Sequence, residues 1–135
     1  MAIQLSEACR NARLDAIETF AGASAVLKLR TGAAPADCAT ADSGTVVATL
    51  SLPSDWMAAA ASGAKAKDGT WEDASADADG TVAHFRLYKS DGTTCVMQGT
   101  VTITGGGGDM TLDNNVVVAT QKITITGFTL TDGNA

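Results

Sequence analysis

The side chains of this sequence that could do chemistry are one histidine, three cysteines and a run of carboxylates. His84 is the single histidine, and it lies in a strand-like stretch beside Phe85 and Arg86. A catalytic histidine needs a nucleophile and an orienting carboxylate, and the sequence contains neither a G-x-S-x-G nor an H-E-x-x-H motif. We therefore expect His84 to be structural or solvent-facing, and the protein not to be an enzyme.

The cysteines predict neither a disulfide framework nor a metal site. Cys9, Cys38 and Cys95 are odd in number and far apart, and no two of them form a C-x-x-C pair. Disulfide-rich domains and zinc sites both need closer or paired spacing. We expect no cofactor and folding in a reducing compartment. Cys38, in a predicted loop, has no basic neighbour in the sequence that would activate its thiol.

An acidic segment is the sharpest local signal. Between Asp68 and Asp79 the sequence has carboxylates and no basic residue, and Ser75, Asp77 and Asp79 have the alternating spacing that opens a calcium loop. The bidentate carboxylate required at the twelfth position falls on Arg86. We therefore favour a solvated acidic loop, or one that pairs with basic groups of a partner, over a weak calcium site at Ser75, Asp77 and Asp79.

Two further features suggest binding rather than catalysis. Trp56 and Trp71 flank an alanine-rich stretch and could form a platform for sugar rings, although aromatic side chains so scarce are more often used to close a core or an interface. The four glycines from Gly105 to Gly108 follow a strand, as phosphate-binding glycines do. No Lys-Ser/Thr pair or helix follows them, so we predict a flexible hairpin connection.

The charge of the chain argues against two classes of partner. The formal net charge is −6 and the sequence pI is about 4.4, and the nine basic residues are dispersed. Binding to nucleic acid depends on cationic side chains that displace counterions, and membrane surfaces attract polybasic clusters. We expect neither as a partner. The first residues lack the features of a secretory signal, and no apolar run reaches the ~18 residues of a membrane span.

The elements that must position these residues begin with a helix in segment 1–22. Ser6 is a suitable N-cap, Gly22 a suitable stop, and residues 5 to about 20 have helical periodicity. An apolar stripe lies opposite a charged face: the stripe is Cys9, Ala12, Ala16, Ile17 and Phe20, and the charged face is Arg10, Arg13, Asp15 and Glu18. The stripe is thin and rich in alanine, so we expect it to lie against a flat surface, either its own sheet or a neighbouring subunit.

From residue 25 to residue 135 the hydrophobic period is two, which is typical of half-buried strands. Leu27 and Leu29 share one face while Arg30 is predicted to point to solvent, and Val46, Ala48, Leu50 and Leu52 form another buried face. Residues 82–104 predict a β-hairpin with a turn at 90–92, and a phase change at Gly127 predicts a β-bulge. The 135 residues are expected to form one domain. It is mainly β, an antiparallel β-sandwich or small barrel of about seven strands with one N-terminal α-helix.

Several short motifs carry a resemblance to a known group of proteins. They are Arg30-Thr31-Gly32, Trp71-Glu72-Asp73, Phe85-Arg86-Leu87 and Met97-Gln98-Gly99, together with the N-terminal helix and the closing strand ITITGFTLT. Over most of its length the chain resembles small proteins encoded in the virion-structural gene clusters of tailed bacteriophages. The resemblance implies an assembled structural protein, made in the host bacterial cytoplasm and located in the virion, with no active site to transfer.

A compact sheet domain without a catalytic cluster is expected to act by surface contact. We expect a capsid decoration or cement protein that stabilises the head by binding capsid subunits, homo-oligomeric on the particle. The alternatives are a tail or head-to-tail connector component, a glycan-binding module on the particle, and, last, an enzyme that uses His84. The predicted contact residues are Arg10, Arg13 and Ile17 in the helix and Trp56, Trp71, Glu72 and Asp73 in segment 54–79.

Overall fold

The computed structural model describes residues 3–133, and within them the chain is mainly β with one N-terminal helix, as predicted. Ten strands are present in this range rather than about seven, because several have only two or three residues. The elements are α1 (Glu7–Ala21), β1 (Val26–Thr31), β2 (Val46–Ser51), β3 (Ala64–Ala66), β4 (Trp71–Asp73), β5 (Gly80–Tyr88), β6 (Cys95–Ile103), β7 (Met110–Leu112), β8 (Val116–Val117), β9 (Ile123–Ile125) and β10 (Thr129–Thr131).

One curled sheet forms the main body of the fold, in the order β2-β1-β5-β6-β7, with β8 paired to the start of β5. Its neighbouring strands are antiparallel except for β6 and β7. The predicted hairpin is confirmed as β5 and β6. Two small sheets close the structure, one of β3 with β10 and the other of β4 with β9.

The helix begins and ends where the sequence predicts. The Ser6 hydroxyl accepts a hydrogen bond from the N–H of Cys9 at 3.2 Å, which satisfies one of the free donors of the first turn. Gly22 follows the last turn with φ of +82°, a conformation that glycine adopts without a steric penalty. Its N–H donates to the carbonyl of Glu18 at 2.8 Å.

The core lies between the inner face of the main sheet and the two small sheets. Four aromatic rings cross it in sequence: Trp56 to Trp71 at 5.9 Å between centroids, Trp71 to Phe128 at 5.7 Å, and Phe128 to Phe85 at 5.6 Å. The indole N–H of Trp71 donates to the carbonyl of Trp56 at 3.1 Å. The alternative in which the tryptophans close the core is confirmed.

The register of β2 differs from the predicted alternation. Leu29 pairs with Ala48 and Arg30 pairs with Val46, so Val47 is an extra residue in the ladder. A bulge of this kind bends the strand and changes the direction of the side chains beside it. Val47 is fully buried in place of the predicted Val46, and Ala48 beside it is buried as well.

Two turn predictions are wrong. Gly105–Gly108 do not form a flexible hairpin connection, because β7 lies parallel to β6 and the chain loops back tightly between them. A Cβ on Gly106 or Gly108 would lie within 3.0 Å of Thr102, so the loop needs glycine there. Gly127 is not a bulge within one strand. It separates β9 from β10, which pair with different strands, and it bridges to Thr111 of β7.

Candidate interaction surface

The N-terminal helix contacts the rest of the protein through its charged face. Glu18 Oε1 accepts hydrogen bonds from the main-chain N–H groups of Trp56 at 3.2 Å and Met57 at 3.0 Å. Glu18 Oε2 lies 2.9 Å from Lys65 Nζ, and the Lys65 side chain is only 2% exposed. Burial lowers the pKa of Lys65, but the hydrogen bonds and negative charges of Asp15 and Glu18 outweigh this effect and raise its pKa above 10.5. Lys65 is therefore a charged anchor beneath the helix.

Other polar side chains on the same face complete the docking. Asn11 Oδ1 accepts from the N–H of Gly63 at 2.9 Å, and Arg10 Nη1 donates to the carbonyl of Asp132 at 2.9 Å. Of the described helix residues, only Leu14 and Ala21 are buried. The helix is thus held to its own domain by hydrogen bonds and ion pairs more than by apolar packing.

The apolar stripe of the helix consequently faces away from the core. Cys9, Ala12, Ala16 and Phe20 are exposed, Phe20 at 59%, and Ile17 is partly exposed. The alternative in which the stripe packs flat on its own sheet is wrong. The reason is that the main-chain N–H groups of segment 56–63 need acceptors, and the carboxylates and amide of the opposite helix face supply them. The neighbouring-subunit alternative remains a prediction.

The stripe ends in an apolar groove of about 360 Å³. Its lining comes from the helix and from β6 and β10: Ala16, Ile17, Phe20, Val96, Met97 and Leu130, with Arg13 at the rim. Arg13 Nε is paired with Asp132 at 3.2 Å and its side chain is 60% exposed. Lys89 Nζ stands 4.1 Å from the centroid of the Phe20 ring. We call this stripe and groove together the helix face.

The predicted contact residues of the helix divide between the two sides. Arg13 and Ile17 line the helix face, so their prediction as contact residues stays open. Arg10 turns toward its own domain and binds the carbonyl of Asp132, so it serves the fold and not an outer surface. Its Nε is buried without a hydrogen-bond partner among the described residues.

The contact residues predicted in segment 54–79 are mostly internal. Trp56 and Trp71 are 0% and 1% exposed, so the prediction that their side chains contact a partner is wrong, and so is a sugar platform built on them. Asp73 Oδ2 accepts from the N–H of Thr49 at 2.9 Å and so caps the edge of β2. Glu72 is partly exposed and pairs with Lys122 at 2.9 Å on the surface.

The acidic segment binds main chain and hydroxyls rather than converging on one point. Asp77 Oδ2 accepts from the hydroxyl of Thr49 at 2.7 Å, and Asp79 Oδ1 accepts from the N–H of Ala119 at 2.7 Å. Ser75 N–H donates to Asp73. Within residues 3–133 no three Asp, Glu, His or Cys side chains are grouped as metal ligands would be. The geometry therefore gives the weak calcium hypothesis no support.

A second polar cluster lies on the outer face of the main sheet, where the alternation in β1 predicts that Arg30 points to solvent. Arg30 and Arg86 are buried, Arg86 at 2% exposure, and both pair with Asp42. Arg86 Nη2 also donates to the carbonyls of Asp37 at 2.7 Å and Thr40 at 2.8 Å. The loop of residues 32–44 is held over the strands in this way, and the prediction that Arg30 points to solvent is wrong.

Asp42 supplies the negative charge that stabilises the buried guanidinium groups of Arg30 and Arg86. Desolvation raises the pKa of Asp42, but hydrogen bonds from Tyr88 and Arg86 and the positive charges of Arg30 and Arg86 outweigh it, so its pKa lies below 3.8. The Tyr88 hydroxyl donates to Asp42 Oδ1 at 2.8 Å. Burial and the neighbouring carboxylate raise the pKa of Tyr88 above 10.0. The cluster holds the loop over the sheet: two guanidinium groups share the single carboxylate of Asp42, and Arg30 Nε is buried without a hydrogen-bond partner among the described residues.

The same loop carries a disulfide, so the prediction of no disulfide is wrong. Cys38 and Cys95 are bonded, with 5.5 Å between their Cα atoms and 57 residues between them in sequence. Spacing could not reveal this pair, because the loop brings Cys38 to the start of β6 only after folding. Cys9 is a free, exposed cysteine.

His84 lies beneath this loop and not on the surface. It is fully buried, its Nδ1 is 2.7 Å from the carbonyl oxygen of Gly32, and its Nε2 has no hydrogen-bond partner among the described residues. The solvent-facing alternative for His84 is wrong, and its structural role stays a prediction.

Comparisons with protein-family models, with curated proteins and with solved structures found no match to this chain. Within residues 3–133, no helix combines the length and the apolar character that crossing a bilayer requires.

Proposed function

We propose that this protein is a structural component of a tailed-bacteriophage virion, a capsid decoration or cement protein that binds capsid subunits and acts by contact alone. The virion context rests on the resemblance of its sequence motifs. The contact role rests on the helix face, whose apolar side chains are turned outward by the docking of the charged face.

The outward orientation of the stripe is the observation that carries the proposal. Glu18 and Lys65 fix the rotation of the helix, so Ile17 and Phe20 cannot turn into the core without breaking buried ion pairs and hydrogen bonds. Contiguous apolar surface on a soluble protein is typical of an interaction site. A partner that covers the helix face removes this apolar surface from water at no cost to the fold.

Repetition on a particle would strengthen such a contact. Each copy offers a modest apolar surface, and copies held by a symmetric lattice, or paired with one another on it, bind with an avidity far above that of one contact. The decoration role therefore does not require a large interface per subunit. A tail or connector component would need the copies to form rings among themselves.

Locating the chain in the particle tests this proposal. Mass spectrometry of gradient-purified virions should detect the protein at a copy number that matches a capsid lattice, and cryo-electron microscopy should place it on the outer head surface. Density in the tail or connector would replace the decoration role with the connector role. Absence of the chain from infectious particles would contradict a virion role altogether.

A further inference from the structure

We infer that the cleft between β6 and β10 accepts one extended β-strand from a partner protein. This inference rests on the proposed role as a protein-binding component, and it names the part of the partner that binds. We call the cleft the strand slot, and its walls are residues 96–100 of β6 and Thr129–Thr131 of β10.

β7 shows that the fold already places one strand between β6 and the segment that leads into β10. β7 lies between β6, with which it pairs in parallel at Val101–Ile103, and Gly127, to which Thr111 forms an antiparallel bridge. In the direction of Cys95 on β6 and Thr131 on β10, these two strands do not pair with each other. The chain enters the position between them only at β7, after the glycine loop of residues 105–108.

The β10 wall presents main-chain groups that its own sheet does not use. The N–H of Lys67 donates to the carbonyl of Phe128 at 2.8 Å, and the N–H of Asp132 donates to the carbonyl of Gly63 at 2.8 Å. Because antiparallel strands alternate their hydrogen-bonding sides, these bonds direct the main-chain groups of Thr129 and Thr131 away from β3 and toward the slot. Both residues are exposed and line the cleft, as an edge that can pair with an added strand requires.

The β6 wall also directs main-chain hydrogen-bonding groups into the slot. The N–H of Thr100 donates to Asp109 Oδ2 at 2.8 Å, which shows that the main-chain groups of Thr100 point away from β5. By the same alternation the N–H and C=O of Gln98 point into the slot, while Met97 and Gly99 pair with β5. The N–H of Thr100 is already bonded to Asp109, so an inserted strand would meet the main-chain groups of Gln98 on one side and those of Thr129 and Thr131 on the other.

The floor of the slot is apolar and its ends carry opposite charge. Phe85, Phe128, Met97 and Leu130 line the floor, and Asp109 lies at the end next to β7. Hydrogen bonds from Thr100 outweigh desolvation and keep the pKa of Asp109 below 3.8, so it is negatively charged at neutral pH. Beyond the other end, in the adjoining groove of the helix face that shares Met97 and Leu130 with the slot, the ammonium of Lys89 stands over the ring of Phe20.

These features specify the occupant. It is an extended segment of about five residues, which spans roughly 17 Å. Apolar side chains alternate along it so that every second one meets the floor, an acidic residue lies at the Lys89 end, and a basic residue lies at the Asp109 end. Main-chain hydrogen bonds would supply the affinity and the floor and end charges the specificity, as in other cases of strand addition.

An appended strand offers a direct test in the whole chain. A flexible Gly-Ser linker and the sequence Glu-Val-Thr-Val-Lys are added after Ala135, so that the strand can fold back beside β10 and run in the direction of β7. The matched control carries Glu-Val-Pro-Val-Lys, which lacks one main-chain donor and resists strand pairing. We expect the first extension to raise Tm by several degrees and to slow amide exchange of Gln98, Thr129 and Thr131 at least tenfold.

The outcomes separate the slot from the proposed function. Equal Tm and equal amide exchange for the two extensions would overturn the inference and leave a virion role standing. If the strand inserts, the filled protein should lose binding to purified heads at least tenfold while the proline control retains it. Unchanged head binding by the filled protein would also overturn the inference. Failure of the unextended protein to bind or enter particles would contradict the proposed function instead.

Discussion

The ammonium of Lys65 lies 2.9 Å from a carboxylate oxygen of Glu18, in a position from which water is almost excluded. This pair joins the charged face of the helix to β3. It explains how a helix with an apolar stripe can keep that stripe in solvent, because turning the stripe inward would leave a buried ammonium without its partner.

Replacement of Glu18 should measure the strength of this docking. Glu18→Ala removes the acceptor for two main-chain N–H groups and one partner of Lys65, and we expect it to lower the free energy of unfolding by about 2–4 kcal/mol. Glu18→Gln keeps an acceptor oxygen but not the charge, and should cost less. Urea unfolding checks both, with Ala12→Ser at an exposed position of the same helix as the control at about 0.5 kcal/mol. A loss for Glu18→Ala no larger than that for Ala12→Ser would refute the docking.

The stability should depend on pH through Asp42. Its pKa is lower in the folded protein than 3.8, so the unfolded chain binds the proton more readily. The stabilisation is therefore complete at neutral pH and is lost as the pH falls below 3.8 and through the folded pKa. Solvent screens the Asp42 carboxylate, which is 39% exposed, so Asp42→Asn should cost about 1 kcal/mol at pH 7, and its difference from the native protein should shrink in acid. Denaturation at a series of pH values tests this, with exposed Asp113→Asn as control. A difference that stays constant down to pH 2 would rule out this role.

The disulfide should stabilise the protein by holding the loop of residues 32–44 on the sheet. Closing a loop of 57 residues reduces the entropy of the unfolded chain enough to contribute about 4 kcal/mol. Cys38→Ser with Cys95→Ser should lower the stability by an amount of this order, whereas Cys9→Ser should change it little. Thiol alkylation without reductant should label Cys9 alone, and three labelled cysteines in the oxidised, folded protein would contradict the pairing.

Trp71 should behave as a core residue. Its ring packs between Trp56 and Phe128, so Trp71→Ala should cost about 3–5 kcal/mol through the cavity it leaves. Trp71→Phe should cost less because it retains most of the ring. Tryptophan fluorescence of the folded protein should resist quenching by iodide. Ready quenching of both tryptophans would place them at the surface and reopen the sugar-binding alternative.

Local features could be predicted from the sequence because their causes are local. Ser6 caps the helix three residues ahead of its donor, Gly22 ends it, and the period of two around the turn at 90–92 determines the β5–β6 hairpin. None of these depends on where distant parts of the chain are placed.

The errors concern partners that are distant in sequence. The alanine-rich stripe predicts a helix face that lies on a flat surface, but the acceptors on the opposite, charged face are used by N–H groups about 40 residues away. The alternation in β1 places Arg30 on the outer face of the sheet. The loop of residues 32–44 covers it there, and Asp42 of this loop forms an ion pair with it. Cys38 and Cys95 pair only because that loop folds over β6. Hydrophobic periodicity describes one strand or helix at a time, and it carries no information on contacts between segments that are distant in sequence.

The central claim is that the helix face binds a protein of the particle. The most direct measurement is co-sedimentation of purified protein with phage heads that lack it. The native chain is compared with the double variant Ile17→Glu, Phe20→Glu. The matched control is Val116→Glu, Val118→Glu, which charges two exposed valines elsewhere on the surface.

We expect the helix-face variant to bind at least tenfold more weakly at unchanged stability. Burial of each large apolar side chain contributes about 1.5–3 kcal/mol, and 1.4 kcal/mol corresponds to a factor of ten. The valine control should bind like the native chain. Equal binding of the native chain and the helix-face variant, or the same loss in the valine control, would contradict the account.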